Sequence, residues 1–389
     1  MITRVRARNF KSLREVDISL GPLNVLVGPN MGGKSNVLDL FRFLYECWFP
    51  QPPSFGPLSA LARRQGIEEV LWKGGRESLL SIGIEFVEPA RQDRTFAYEI
   101  EIASGAGGYV NIQKEALTLR EGSEEHPLMI RDEDGRWLQN ADRSKLVVVQ
   151  AERSALELAP PNWDGYPLKI SAQNWRFHQL IPGLMKQANQ MTTGGVLDVH
   201  GSNLSAWLMW LQTRSPEAFG RIAEVLRDVF PGVRQLLTWP TQQGTVYLAS
   251  EEQGLLRPTP LFQMSDGELA FLALLSLILA PDDLSGTLFF IEEPENHLHP
   301  RLLETLSALL RQAQQEVAER NVPPSQIVFT THSPLVLNQM KLDEILWVEK
   351  RHGETRVIRP DSKPYLRKLV EDDELGLGDL MFAGALGEE

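Results

Sequence analysis

Residues 28 to 35 read Gly-Pro-Asn-Met-Gly-Gly-Lys-Ser. They lie between a continuous apolar run, Leu23 to Val27, and a segment in which Val37, Leu38, Leu40, Phe41 and Leu44 recur at helical spacing. A short apolar run bounded by turn residues reads as a buried parallel strand, so the glycines form the turn from a strand into a helix. That context restricts the chain to an α/β core whose loop closes around a polyphosphate. Gly28 and Gly33 let the backbone turn its N–H groups inward, Pro29, Asn30, Gly32 and Asn36 complete the cradle, and the helix N-terminus favours negative charge. Lys34 is spaced to reach the β- and γ-phosphates, and the Ser35 hydroxyl can ligate Mg²⁺. The competing reading is a Gly-rich turn before an ordinary helix. The strand, the spacing and the Lys-Ser pair favour a nucleoside triphosphate.

At 389 residues the chain can form two or three lobes around large cores. Its 42% hydrophobic and 23% charged content is that of a globular protein rather than a disordered one. The lone Cys47 excludes an intramolecular disulfide and fits a reducing compartment, and its place on the first helix reads as core. The opening MITRVRARNFKSLREV lacks the apolar centre of a signal peptide, and the longest apolar run, around Phe271 to Ala280, is too short to span a bilayer. The expectation is a cytoplasmic protein with no membrane partner. A net charge of −12 argues against a broadly sticky nucleic-acid binder. Arg4, Arg6 and Arg8 nevertheless share one face of a strand, either as a solvated face or as a phosphate-tracking patch.

The fold class expected is α/β: a P-loop core with a mixed or parallel sheet, an added antiparallel β-subdomain and a helical insert. Residues 1–150 supply the loop, the first helix and alternating strands from Leu79 to Val149. Residues 151–262 read as a mostly helical insert, with helices over Leu204 to Leu211 and Phe219 to Phe230 and no sustained heptads. Residues 263–389 return to alternation. A helix runs to Ala280, followed by strand Thr287 to Ile291, helix Arg301 to Arg320 and strand Gln326 to Thr330, with further strands near Ile345 and Arg356.

The second lobe carries three candidate segments. Leu288 to Glu293 is an apolar strand ending in paired carboxylates, of which Glu292 is assigned to Mg²⁺ and Glu293 to the general base that polarises an attacking water. His332, in Thr-Thr-His-Ser-Pro, follows another buried strand, where open α/β sheets place their ligands. It is either a satisfied surface histidine or a contact to the γ-phosphate. Ser265 with Glu268 is a capping box, and Ser265 with Gly267 at a helix N-terminus is equally an anion site.

Together these segments resemble the ABC-type ATPases of the SMC/RecF-like branch. GPNMGGKS resembles the Walker A motif, FFIEEPE the Walker B motif, MSDGE the signature, Glu295 to His299 the D-loop and His332 the switch histidine. The wording EEPENHLHP and TTHSP, with Gly201 to Leu204 and the late Leu377 to Leu380 and Gly384 to Gly387, is closer to predicted bacterial AAA-family ATPases related to OLD proteins. From the short stretch after the last strands, the expectation is a chain without the TOPRIM nuclease domain that OLD nucleases add. The resemblance implies ATP and Mg²⁺ as cofactors. It also implies a head-to-tail homodimer or higher homo-oligomer in which Ser265 and Gly267 of one copy cap the γ-phosphate held by Lys34 and Ser35 of another.

The departures are Met31 where a glycine is usual, Glu292 for the Walker B aspartate and His299 at the D-loop aspartate. Gln150 is the first choice for the Q-loop glutamine and Gln65 the second. Arg153 either contacts phosphates or pairs with an acid, and Phe10 is either core or a stacking partner for adenine. The 258 residues from Lys34 to Glu292 are more than a transporter subunit leaves between these motifs. Two roles follow. One is an ATPase acting on DNA in recombination, repair or anti-phage defence. The other is an ATP-gated scaffold that controls a separate effector, a nuclease or a toxin.

Overall fold

A computed structural model describes residues 1–89, 91–105, 110–132, 135–150, 152–191, 195–279, 287–319, 325–371 and 375–387. Its centre is a six-stranded sheet with the spatial order Trp175–His178, Leu288–Glu292, Gln326–Thr331, Leu23–Val27, Ile345–Arg351, Glu354–Ile358. The first five strands are parallel and the last is antiparallel, so the sheet is mixed. Residues alternate between its faces with period two. Leu26, Phe290, Val328, Leu346 and Val348 join one core, whereas Val25, Val27, Phe289, Phe329 and Ile345 join the other. A parallel sheet covered on both faces is thereby built from runs that look uniformly apolar in sequence.

The first core is closed by the helix Lys34–Trp48 and an antiparallel sheet. That sheet has the order Leu13–Ser19, Ile2–Phe10, Leu79–Glu88, Arg91–Ser104, Val110–Glu121, Glu124–Pro127. Phe41 meets Phe290 at 4.7 Å between ring centroids, and Trp48 donates from its indole to Tyr98 Oη at 3.0 Å. The helix is thus fixed to both sheets, which holds its N-terminus at the sheet edge. The second core is closed by helices Leu204–Arg214, Pro216–Val229, Asp266–Ile278 and Pro300–Glu319. The helix Asp266–Ile278 buries residues on every side, in keeping with its run of Leu, Ala and Phe.

The expected α/β class with an antiparallel subdomain is observed. The three segments bounded at residues 150 and 262 all contribute strands to the central sheet. The loop strand Leu23–Val27 lies between two strands of the last segment, and the middle segment adds the edge strand Trp175–His178. That edge strand was missed because Trp-Arg-Phe-His has neither the length nor the apolar run of a buried strand. It sits at a margin with only one neighbour. The middle segment also carries a hairpin, Val233–Pro240 with Thr245–Glu252. No helix among the described residues is long and apolar enough to cross a membrane.

Candidate functional site

The loop 28–33 rises from Leu23–Val27 and enters the helix Lys34–Trp48 through Gly33, which has φ 108° and no side-chain cap. Glycine is required there by space as well as by backbone angle. A Cβ on Gly33 would stand 2.0 Å from Thr355 Oγ1, and one on Gly28 would stand 2.0 Å from the Val348 carbonyl oxygen. The last two strands of the sheet therefore form a floor directly under the loop. Met31 takes the position of the usual glycine with φ 64° and is 88% exposed, so its side chain projects outward and the loop keeps its course. Lys34 is buried and donates from Nζ to the carbonyls of Gly28 (2.9 Å) and Pro29 (3.0 Å). Burial lowers its pKa to about 8, while Glu293 and Glu295 pull the other way. Ser35 is exposed in the first helical turn, and Asn36 donates to Ser12 Oγ at 2.6 Å.

The strands Leu288–Glu292, Gln326–Thr331 and Leu23–Val27 are adjacent and parallel, so their C-terminal ends meet. This brings Glu293 and His332 within electrostatic reach of Lys34, at the place where α/β sheets bind ligands, while Glu292 stands near Arg42 and Asp39. Glu293 has φ 44°, and its N–H donates to the Thr330 carbonyl and hydroxyl, both at 3.1 Å. Its carboxylate lies between Asn296, which donates from Nδ2 at 2.9 Å, and His332 Nε2 at 3.3 Å. Burial and then Lys34 lower the His332 pKa, while Glu293 and Glu295 act in the opposite direction. Burial raises the Glu292 carboxyl, Arg42 opposes this, and Glu293 adds to it.

Glu295 joins the two strand ends. One of its oxygens accepts from the Thr331 hydroxyl at 2.7 Å and from the His332 N–H at 2.8 Å. The resemblance gives it only as the start of the D-loop, yet it ties the Thr331–His332 segment to the turn that follows Glu293. Asn296 was missed in the same way: that it orients Glu293 depends on a turn geometry that spacing does not reveal.

The segment Ser265 to Glu268 realises its capping box in full. Ser265 Oγ accepts from the Glu268 N–H at 3.2 Å, and Glu268 returns a bond to the Ser265 N–H at 2.7 Å. Gly267 packs so tightly on the D-loop that a Cβ would lie 2.8 Å from the His297 carbonyl oxygen. Asp266 pairs with Lys186 at 2.6 Å. The signature and D-loop segments are thus mechanically joined within one chain.

A family described as "AAA domain, putative AbiEii toxin, Type IV TA system" matches residues 23–338, from the loop strand to beyond the switch histidine. The chain belongs to this AAA-domain family. An OLD nuclease of Thermus scotoductus is 45% identical over 55 residues, covering 14% of this chain and 10% of the nuclease. A Retron Vc95 probable ATPase of Vibrio cholerae is 30% identical over 115 residues, covering 27% of this chain and 21% of that protein. The matched stretches are therefore a small part of these curated relatives. Among solved structures, an SMC head bound to the C-winged helix domain of ScpA aligns with TM-score 0.59 at 17% identity, over 92% of this chain and 97% of the other. A Pyrococcus furiosus Smc head with an extended coiled coil, bound to the C-terminal domain of ScpA, aligns with TM-score 0.56 at 14% identity, over 96% and 99%. These establish the SMC-head type of P-loop fold.

In this AAA-domain chain the remaining expected residues fall outside the cluster. Gln150 follows the strand Lys145–Val149 of a separate three-stranded sheet, where its carbonyl accepts from Arg136. Gln65 is exposed in a turn with φ 64°. Arg153 pairs with Glu157 (Nε to Oε1, 2.9 Å) and lies over Phe55, which realises the acid-pairing alternative. Phe10 is fully buried edge-on to Phe43 and is core. Cys47 is buried, and burial pushes its thiol well up. Arg4 is half-buried, Arg6 and Arg8 are exposed, and the three pair across strands with Asp17, Glu85 and Glu77. An aromatic does stand near the loop: Trp72, with Lys11, Ser12, Asn36, Lys350 and His352, lines a cavity of about 390 Å³. Residues so far apart in sequence left no local signal of this cavity.

Proposed function

We propose that the chain binds and hydrolyses ATP. The observation that supports this most is the convergence of Lys34, Glu293 and His332 at neighbouring ends of three parallel strands. Lys34 remains mostly charged at neutral pH, and a β- or γ-phosphate replaces its loop carbonyls as a stronger, charge-assisted acceptor. Glu293, held by Asn296 and His332, accepts the proton of the attacking water, and His332 contacts the γ-phosphate. The cavity beside Asn36 receives the nucleoside. Gln150 is kept as the Q-loop residue only if closure carries it to the loop.

Ser35 and Glu292 supply the hard oxygen donors that Mg²⁺ takes together with water and phosphate oxygens. Among the described residues no group of three or more His, Cys, Asp or Glu is arranged to hold a metal, which fits an ion shared with the substrate rather than a protein cage. When bound, Mg²⁺ neutralises charge on the phosphoryl oxygens.

We further propose a head-to-tail homodimer, in which Ser265 and Gly267 of one copy close over the γ-phosphate held by Lys34 and Ser35 of the second. ATP then favours the closed state and hydrolysis releases it, a population shift. Glu293→Gln is expected to retain ATP and accumulate a dimer on size-exclusion chromatography. Wild-type turnover in that variant would remove the base assignment.

The likeness to an OLD nuclease and a retron ATPase supports a role with DNA or in anti-phage defence. The pairing of Arg4, Arg6 and Arg8 with acids supports the second reading, a scaffold acting through a separate effector. ATPase rates with and without duplex, single-stranded and broken DNA separate them. Salt-sensitive stimulation favours the first and DNA-independent turnover the second.

A further inference from the structure

The floor under the phosphate loop is a hairpin of strands Ile345–Arg351 and Glu354–Ile358, more than 300 residues downstream of the loop. Thr355, on its second strand, is 2% exposed and enters four contacts with the loop region. Its N–H donates to the Ser12 carbonyl at 2.7 Å. Its hydroxyl donates to the Gly32 carbonyl at 3.0 Å and lies 2.7 Å from Ser12 Oγ. It also fills the space that a side chain on Gly33 would need.

A hydroxyl has one proton to give. With the Thr355 proton committed to Gly32, Ser12 must donate to Thr355 Oγ1, and Ser12 Oγ then accepts from Asn36 at 2.6 Å. The bonds therefore run in one direction, from Asn36 through Ser12 and Thr355 to the Gly32 carbonyl. In a planar trans peptide the C=O and the following N–H point in opposite directions. Fixing the Gly32 carbonyl toward Thr355 therefore turns the Gly33 N–H away from the hairpin, toward the concave side of the loop.

We propose that Thr355 is a positioning residue for the phosphate loop, holding the Gly32–Gly33 peptide in the orientation that presents an amide to a polyphosphate. This rests on the reading of residues 28–35 as a polyphosphate site. The C-terminal hairpin thereby sets the affinity of a loop from which it is remote in sequence, without touching the reacting atoms.

The test compares Thr355→Val, which removes the hydroxyl and keeps the branched shape, with Thr355→Ser, which keeps the hydroxyl and removes the methyl. ATP and inorganic triphosphate affinities are measured by calorimetry on the full chain, with turnover and thermal unfolding alongside. Thr355→Val is expected to weaken both ligands about tenfold, the effect of one lost hydrogen bond to a buried acceptor, with kcat changed less than about threefold. Thr355→Ser is expected to restore affinity to within about threefold of wild type. If Thr355→Val fails to fold, Ser12→Ala breaks the same chain one link earlier and is expected to weaken binding in the same direction. A folded Thr355→Val, or Ser12→Ala in its place, with wild-type affinity for both ligands overturns the proposal, as does equal loss in Thr355→Ser. Lys34→Ala separates the two ideas. Undiminished triphosphate binding in that variant would remove the polyphosphate reading itself, whatever Thr355 does.

Discussion

Two helix N-termini in this molecule both read as anion sites in sequence and differ in structure. The helix Lys34–Trp48 starts at a glycine, carries no side-chain cap and has no acidic residue in its first turn. The helix Asp266–Ile278 starts at Ser265, closes a complete capping box and carries Asp266 and Glu268 in its first turn. The first has no side chain on its initial amides and no acid against its positive end, which suits an anion. The second has met its own demand. A free anion is therefore drawn to the loop. Ser265 accepts from the Glu268 N–H and keeps its hydroxyl proton, which under the proposed dimer is donated to a phosphate held by a second copy without loss of the cap. The contrast separates an open helix terminus from one that its own side chains already cap.

The largest break in this comparison comes from Lys34→Ala. Losing a charge-assisted contact at the open terminus is expected to weaken ATP at least about 100-fold, read by calorimetry. Ser265→Arg tests the closed terminus. If it completes a second copy's site, ATPase activity falls about tenfold or more while ATP affinity of the isolated chain is retained, and unchanged turnover would remove the composite site. Ser265→Ala removes the cap alone. It is expected to cost about 1 kcal/mol, visible as a fall in Tm of about 2 °C without nucleotide.

A pH dependence reads the buried lysine of the open terminus directly. The folded pKa of Lys34 lies at about 8 against an ordinary value of 10.5, so the unfolded chain binds more protons between those values. The part of stability due to Lys34 therefore rises as pH increases from about 8 to 10.5, and below 8 the full cost of the buried charge is present. Denaturant titrations of wild type and Lys34→Met across that window should differ in slope, with the wild type the steeper.

Much of the site was legible because its parts are local. The loop, its strand and its helix are contiguous. Glu292 and Glu293 close one apolar run, and His332 closes another. The helices Leu204–Arg214 and Pro216–Val229 follow from their spacing, as does the strand Thr245–Glu252. What failed to show was anything that depends on which strands are neighbours. Glu295 reaches Thr331 and His332 only because two strands lie side by side. The arginines of the first strand read as a basic face until the adjacent strands bring Asp17, Glu85 and Glu77 against them. Asn338 accepts from the Gly378 N–H at 2.7 Å and so holds the helix Leu377–Phe382, 40 residues further along the chain.

By itself the sequence determined the elements and their chemistry: a phosphate loop with a lysine, carboxylates at a strand end, a self-capping serine and an α/β period throughout. These are encoded within one or two turns or strands, where 3.6- and 2-residue spacing act directly. Only the tertiary structure decided that Leu23–Val27 lies between two late strands, so that Val348 and Thr355 floor the loop, and that Glu295 ties the turn after Glu293 to His332. The loop contacts join residues more than 300 positions apart and the Glu295 contacts residues 36 and 37 apart, all through sheet order. Local periodicity specifies which face of a strand is buried, and it is silent on which strand lies beside it.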